Sequence, residues 1–167
     1  MLTNIKGVIF DLDGTLVDSM WVWTQIDVDY LRMKGHSMPK NLRNEIVHLS
    51  FSQTAVYFKE KFNLDDSIEK ISEDWHDMAF NHYSNNVKLK LGVKDFLNML
   101  KSLKIKIALA TSNSIPLLEA CLKNNEIYDY FDSITTTDEV STGKDCPDVY
   151  LLAANKLGIH PKDCLVF

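Results

Sequence analysis

The stretch GVIFDLDGTLVDS, residues 7–19, decides how this chain folds. Its opening residues are apolar, β-branched or aromatic, which is typical of a short strand buried on both faces of a parallel sheet. Asp11 and Asp13 follow directly. Residues two apart in an extended chain point the same way, so we expect both carboxylates to converge at the carboxyl end of this strand. Open parallel sheets bind their ligands at that edge, and the stretch therefore predicts a central strand with a site at its end.

The rest of the chain divides into two kinds of segment. From about Ser19 to Asn86, aromatic-rich segments at helical spacing predict three or four helices. Beyond them helices and strands alternate, with helices predicted at 93–103, 116–124 and 147–156 and strands at 105–110, near 134 and at 164–167. Such alternation predicts the α/β class with a doubly wound, Rossmann-like parallel sheet. We expect a core formed by residues 1–17 and 88–167, with an all-helical cap, residues 18–87, inserted after the first strand.

Composition excludes several classes of protein. The chain has 167 residues, of which 46% are hydrophobic and 25% charged, and these values indicate one ordinary globular domain, or one domain carrying an insert. The formal net charge of −5 argues against nucleic-acid binding, which needs a clustered basic surface. No apolar run approaches the roughly 18 residues of a membrane span, and no signal peptide is evident. We expect a cytoplasmic monomer without membrane or nucleic-acid partners.

The three cysteines, Cys121, Cys146 and Cys164, are odd in number and widely spaced. This pattern fits neither a disulfide framework nor a zinc site, and it predicts reduced thiols.

The two aspartates of the first motif are candidate ligands of Mg²⁺. Two crowded carboxylates repel unless a cation or a shared proton offsets their charge. Mg²⁺ prefers hard oxygen ligands and usually engages one or two carboxylates together with a phosphate group, as Asp11 and Asp13 would allow. A calcium loop does not fit, because Val22 stands at the twelfth position where such a loop needs glutamate. From spacing alone, a role as turn caps stays open.

Two later segments carry polar residues after a predicted strand. Thr111, Ser112 and Asn113 follow the strand at 105–110, and such a turn can offer a hydroxyl and backbone N–H groups to a phosphate. Without further information, helix capping is the simpler interpretation of these residues. Lys144 lies in a loop ahead of a predicted helix, where a lone lysine is usually solvated.

These segments together resemble a known family. Residues 7–19 closely resemble the first motif of the haloacid dehalogenase-like hydrolase superfamily, and residues 107–113 and 143–150 are similar to its later motifs. The resemblance implies that Asp11 attacks phosphorus to form an aspartyl-phosphate and that Asp13 is the general acid and base. Dehalogenase members generally lack the second aspartate, so its presence favours phosphoryl transfer over carbon–halogen cleavage.

The same resemblance assigns the remaining site residues. It implies that Thr111 binds the transferring phosphate, that Ser112 and Asn113 contribute backbone donors, and that Lys144 neutralises the phosphate and the nucleophile. It also implies that Asp11 and Asp13 hold Mg²⁺. The strand at 164–167 leads, in the family, into an acidic motif with the remaining Mg²⁺ ligands, so we expect those ligands beyond Phe167 and the C-terminal part of the core to be missing here.

The nearest subgroup is that of β-phosphoglucomutase-like proteins and sugar-phosphate phosphatases. Trp23 stands where these mutases carry a histidine, and residues 49–54 contain no basic residue where their cap arginine is expected. The sequence therefore predicts a Mg²⁺-dependent phosphatase, a phosphoric monoester hydrolase acting on a small phosphorylated metabolite such as a sugar phosphate. The alternatives are a phosphomutase of the β-phosphoglucomutase type and a non-catalytic module that binds a phospho-ligand or a protein partner.

Overall fold

The structure, a computed structural model, describes residues 4–47, 49 and 51–167, which form two compact units. One unit contains the described residues up to Ser19 together with Tyr83–Phe167, and the other is Met20–His82. The elements in chain order are β1 (Gly7–Phe10), β2 (Val17–Asp18), α1 (Val22–Met33), α2 (Leu42–Ile46), α3 (Phe51–Lys61), α4 (Ile68–Asn85), β3 (Lys88–Leu89), α5 (Val93–Ser102), β4 (Lys106–Thr111), α6 (Ile115–Asn124), β5 (Ser133–Thr136), α7 (Asp148–Leu157) and β6 (Cys164–Val166). We call the two units the α/β unit and the helical unit.

The α/β unit is built on a parallel sheet. Within the described residues the sheet has four strands in the order β5-β4-β1-β6, and every pairing is parallel. β1 pairs with β4 from Gly7 opposite Lys106 to Phe10 opposite Leu109. All four residues of β1 are buried, as its apolar sequence predicts for a strand covered on both faces.

Helices cover both faces of this sheet. Ile9 of β1 packs into a cluster with α7, in which small side chains let helix and strand approach closely. Phe10, the next residue, makes an edge-to-face contact with Phe96 of α5 at 5.9 Å between ring centroids. Successive residues of a strand point to opposite faces, so α5 and α7 lie on opposite sides of the sheet. This arrangement confirms the predicted doubly wound α/β fold.

A short antiparallel pair was not predicted from the sequence. Val17 of β2 pairs with Leu89 of β3, and Asp18 pairs with Lys88. Two-residue strands are too short to show an alternating pattern, so periodicity could not identify them.

The helical unit is held together by aromatic side chains. Trp75 of α4 is 2% exposed. Its ring makes edge-to-face contacts with Tyr30, Phe51 and Phe58, at 5.7, 5.6 and 4.9 Å between centroids. Aromatic pairs in this geometry add to the stability that burial alone provides. The aromatic stripe of α4 therefore contributes to the core of this unit.

A carboxylate lies at the edge of that core. Asp27 of α1 borders a pocket of about 220 Å³. The other lining residues are Trp23, Ile46, Leu49, Phe51, Thr54 and Trp75. Burial raises the pKa of Asp27 to about 6, and the positive charge of Arg43 opposes this shift only in part. Ionisation of Asp27 therefore costs the folded state free energy.

We predict that Asp27→Asn stabilises the helical unit above pH 6. An aspartate whose folded pKa exceeds its unfolded value of 3.8 lowers stability as pH rises between the two values. Each pKa unit is worth about 1.4 kcal/mol, so the gain should be on the order of 2 kcal/mol above pH 6 and should vanish below pH 4. Urea unfolding followed by tryptophan fluorescence measures it, since Trp21, Trp23 and Trp75 all lie in this unit.

Asp29→Asn on the same helix is the control. Asp29 accepts hydrogen bonds from Gln25 and Arg32, so its replacement removes favourable contacts and should not stabilise the unit. Equal free energies of unfolding for Asp27→Asn and the parent chain at pH 7 would contradict the prediction.

Candidate active site

Two neighbouring strands end beside each other in polar residues. Because β1 and β4 are parallel and in register, their carboxyl ends lie at the same edge of the sheet. Asp11 comes directly after β1, and Thr111 is the last residue of β4, with Ser112 and Asn113 following it. The sequence-predicted residues of both segments are thus delivered to one edge.

Asp11 forms an ion pair with Lys144. Lys144 Nζ lies 2.5 Å from Asp11 Oδ1, and the two side chains are 22% and 25% exposed. The same ammonium group lies 5.7 Å from the ring centroid of Tyr150. The backbone N–H of Asp11 donates to the carbonyl of Phe167 at 3.0 Å, which fixes the chain next to the sheet. A lysine 133 residues away in sequence therefore offsets the charge of the predicted nucleophile.

Asp13 is held by three neutral donors. Its Oδ1 accepts hydrogen bonds from Ser19 Oγ and from Tyr83 Oη, each at 2.6 Å. Its Oδ2 accepts a hydrogen bond from Asn113 Nδ2 at 2.9 Å. The two carboxylates thus have different partners, a cation at Asp11 and uncharged groups at Asp13.

The hydroxyl of Tyr83 stays protonated in this environment. Tyr83 is 2% exposed, and burial, together with the negative charge of Asp13, raises its pKa far above the ordinary value. Tyr83 therefore acts as a hydrogen-bond donor to Asp13 throughout the range in which proteins are normally studied.

A tight turn places Asp13 after the strand. The carbonyl of Leu12 accepts the backbone N–H groups of Thr15, Leu16 and Val17, and Gly14 adopts a φ of +77°. Glycine adopts this left-handed conformation without the strain that a Cβ would impose. The side chain of Leu12 is buried, so it does not lie with the carboxylates of the two aspartates on either side of it.

The hydrogen bonds of the segment after β4 differ in part from those that the sequence predicts. The backbone N–H of Asn113 donates to Thr111 Oγ1 at 3.1 Å, and the Asn113 side chain donates to Asp13. Thr111 is buried and Ser112 is exposed. The amide of Asn113, predicted as a backbone donor to phosphate, is therefore engaged within the turn, while its side chain joins this segment to Asp13.

Two residues at the site were missed by sequence reasoning. Ser19 lies six residues after Asp13 in the first motif, where its hydroxyl was a detectable signal. Tyr83 lies seventy residues away among helical aromatics, and no local pattern distinguishes it from a core residue.

The cysteines are free thiols, as predicted. Cys121 is fully buried, and burial together with the charge of Asp13 raises its pKa to about 12. Cys146 and Cys164 are partly buried. A thiol with so high a pKa as that of Cys121 is a packing group and not a nucleophile.

The donor set suits Mg²⁺ better at Asp11 than at Asp13. Among the residues that the structure describes, no group of three or more histidine, cysteine, aspartate or glutamate side chains could hold a metal ion. The side chain of Asp13 already accepts three hydrogen bonds, whereas Asp11 pairs with Lys144 through one oxygen. Mg²⁺ usually keeps several waters and uses one or two carboxylates, so Asp11 with a substrate phosphate fits its needs.

Comparison with known proteins places this geometry in a family. Residues 8–167 match the haloacid dehalogenase-like hydrolase family, and the chain belongs to it. In the described part of the chain, no helix is both long and apolar enough to cross a membrane.

The relatives define the class of enzyme more closely. The chain is 30% identical over 165 residues to a phosphorylated carbohydrates phosphatase of Thermotoga maritima, covering 98% of this chain and 76% of the relative. It is 26% identical over 167 residues to hexitol phosphatase B of Escherichia coli K12, covering 97% and 74%. A solved Thermotoga maritima structure, described as a candidate β-phosphoglucomutase, matches with a TM-score of 0.89 and 28% identity over 98% of this chain and 76% of that one. The chain is a phosphoric monoester hydrolase of this family, as predicted.

We predict that Lys144→Ala lowers kcat/KM for phosphate release by about 10²–10³, the usual effect of removing one group that stabilises charge in a transition state. Lys144→Arg should retain part of the activity because it keeps the positive charge. Phosphate release under initial-rate conditions measures both variants.

The matched control is Lys123→Ala, which removes an exposed lysine paired with Glu119 on α6. This control should behave like the parent chain. If Lys144→Ala stays within twofold of the parent, the ion pair with Asp11 has no part in the reaction.

Proposed function

We propose that this chain is a Mg²⁺-dependent phosphatase that hydrolyses a small phosphorylated carbohydrate through an aspartyl-phosphate on Asp11. The observation that carries the proposal is that Asp11 and Asp13, two carboxylates close together in the sequence, have different partners. Asp11 pairs with the cation Lys144, while Asp13 is held by the neutral groups of Ser19, Tyr83 and Asn113. Two carboxylates in different surroundings suit two different roles.

In the first step, an oxygen of Asp11 attacks phosphorus and the bond from phosphorus to the leaving oxygen breaks. Asp13 donates its proton to that oxygen, so the product leaves as a neutral alcohol. Lys144 offsets negative charge on Asp11 and on the transferring group. Thr111, with donors of the turn that follows it, is proposed to bind the phosphate.

In the second step, water attacks the phosphorus of the aspartyl-phosphate while Asp13 accepts a proton from that water. The bond between phosphorus and Asp11 breaks, which regenerates both aspartates in their starting states and releases inorganic phosphate. When bound, Mg²⁺ held by Asp11 would offset the charge of the phosphate oxygens.

The substrate class rests on the relatives. A phosphorylated carbohydrates phosphatase and hexitol phosphatase B are both enzymes whose names specify a phosphorylated sugar or polyol. We therefore propose a sugar phosphate or hexitol phosphate as the substrate of this chain.

The proposal predicts that Asp11→Asn abolishes phosphate release, with a loss of at least about 10³, because the amide cannot form the acyl-phosphate. Phosphate release is measured on sugar phosphates, hexitol phosphates and p-nitrophenyl phosphate, with Mg²⁺ or with EDTA. Activity should require Mg²⁺, and acid quenching of a single turnover with labelled substrate should trap label on the parent chain.

Asp65→Asn, at an exposed carboxylate of the helical unit, is the control and should leave the rate unchanged. Undiminished phosphate release by Asp11→Asn would overturn the covalent mechanism. Absence of release from the parent chain on every substrate, with Mg²⁺ present, would overturn the phosphatase and favour a non-catalytic phospho-ligand module.

A phosphomutase is the second candidate, favoured by the likeness to the candidate β-phosphoglucomutase. A mutase passes the phosphoryl group from aspartate to a sugar hydroxyl instead of to water. Incubation with a β-sugar 1-phosphate and a trace of the bisphosphate distinguishes the two, since a mutase yields the isomeric sugar phosphate and a phosphatase yields inorganic phosphate.

A further inference from the structure

The ammonium group of Lys144 has two partners of different kinds. Its Nζ lies 2.5 Å from Asp11 Oδ1 and, over the Tyr150 ring, 5.7 Å from the ring centroid. An ammonium group within about 6 Å of an aromatic centroid is attracted to the negative face of the ring. Asp11 is a charged group that reacts in the proposed mechanism, whereas Tyr150 is a neutral group that does not.

We infer that Tyr150 is a positioning residue that holds the Lys144 ammonium group beside Asp11 through a cation–π contact. This inference rests on the proposed function, in which Lys144 offsets charge on Asp11 and on the transferring group. The carboxyl group of Asp11 no longer carries its negative charge once one of its oxygens is bonded to phosphorus. The attraction of the ring for Lys144 is the same in every step, because Tyr150 takes no part in making or breaking bonds.

The start of α7 fixes the ring. The backbone N–H of Tyr150 donates to the carbonyl of Pro147 at 3.1 Å, and the side chain packs against the buried cluster of β1, β4 and α7. The hydroxyl of Thr142 donates a hydrogen bond to the carboxylate of Asp148, the first residue of the helix. The loop that carries Lys144 is thereby tied to the helix that carries Tyr150.

Lys144 is a side chain for which such a contact matters. A lysine ammonium group sits on a flexible four-carbon stem, and its donors rotate, so an ion pair alone does not fix its direction. Lys144 is 22% exposed and Tyr150 is partly buried. A cation–π contact is worth more at such a site than at a fully exposed one, because water competes less for the cation.

Three substitutions at position 150 separate the charge of the ring face from the bulk of the ring. Tyr150→Phe keeps an electron-rich ring, and its kcat/KM should stay within about twofold of the parent. Tyr150→Leu removes the ring, while Tyr150→pentafluorophenylalanine keeps its shape but withdraws the negative charge from its face. Each should lose roughly threefold to tenfold of kcat/KM on p-nitrophenyl phosphate with Mg²⁺. The fluorinated variant carries the test if Tyr150→Leu does not fold.

The same substitutions made in the Lys144→Ala chain complete a double-mutant cycle. If the ring acts through the ammonium group, neither Tyr150→Leu nor the fluorinated ring should lower kcat/KM further once Lys144 is absent. Tyr128→Leu is the matched control, since the Tyr128 ring centroid lies 5.0 Å from Lys123 Nζ and neither residue belongs to the proposed site. That control should behave like the parent chain.

Losses that persist without Lys144, or a fluorinated variant as active as Tyr150→Phe, would overturn the inference, because the ring then contributes through packing and not through its charge. Lys144→Ala separates this failure from failure of the proposed function. If Lys144→Ala is impaired and the Tyr150 variants match the parent, the positioning role alone is wrong. If Lys144→Ala matches the parent, or the parent releases no phosphate from any substrate, that part of the proposed function is wrong and the inference with it.

Discussion

The register between β1 and β4 is the constraint on which the site depends. Phe10 lies opposite Leu109 in a parallel pair, so the residues after each strand leave the sheet at the same edge. The hydrogen bond from Asn113 to Asp13 joins two segments one hundred residues apart and requires that both strands end level. A shift of one residue in this pairing would turn the side chains of a whole strand to the other face, so the buried cluster around Ile9 also fixes the position of the polar groups.

The two aspartates have different electrostatic surroundings because different elements of the structure contact them. Lys144 arrives from the loop ahead of α7 and contacts Asp11, while hydroxyl and amide groups contact Asp13. Lys144 places a positive charge beside Asp11, whereas neutral donors hold the carboxylate of Asp13 in place without adding a net charge. Two chemically identical side chains, separated by one leucine, are thereby suited to different roles in the proposed reaction.

Sequence patterns predict the fold here because its signals are local and repeated. Apolar strands alternate with helices of clear periodicity, and Gly158, the C-cap of α7, adopts the left-handed conformation that glycine tolerates, with a φ of +68°. The site is only partly local. The aspartates and Lys144 lie in recognisable motifs, but the use of the Asn113 side chain depends on the three-dimensional path of its turn. The contact of Tyr83 depends on where α4 ends relative to a strand seventy residues earlier, which no spacing rule expresses.

The two hydroxyl donors of Asp13 occupy particular positions along the chain. Ser19 is the last residue of the α/β unit before the helical unit begins, and Tyr83 is the first residue after it ends. The pairing of β2 with β3 joins the same two stretches through the backbone. Both points at which the chain leaves and re-enters the α/β unit are therefore tied to one carboxylate oxygen. It follows that the orientation of Asp13 depends on both junctions at once, because a change in the backbone at either junction would remove a donor from Oδ1. The two residues of the α/β unit that border the helical unit in sequence thus form part of the arrangement that holds the proposed acid and base.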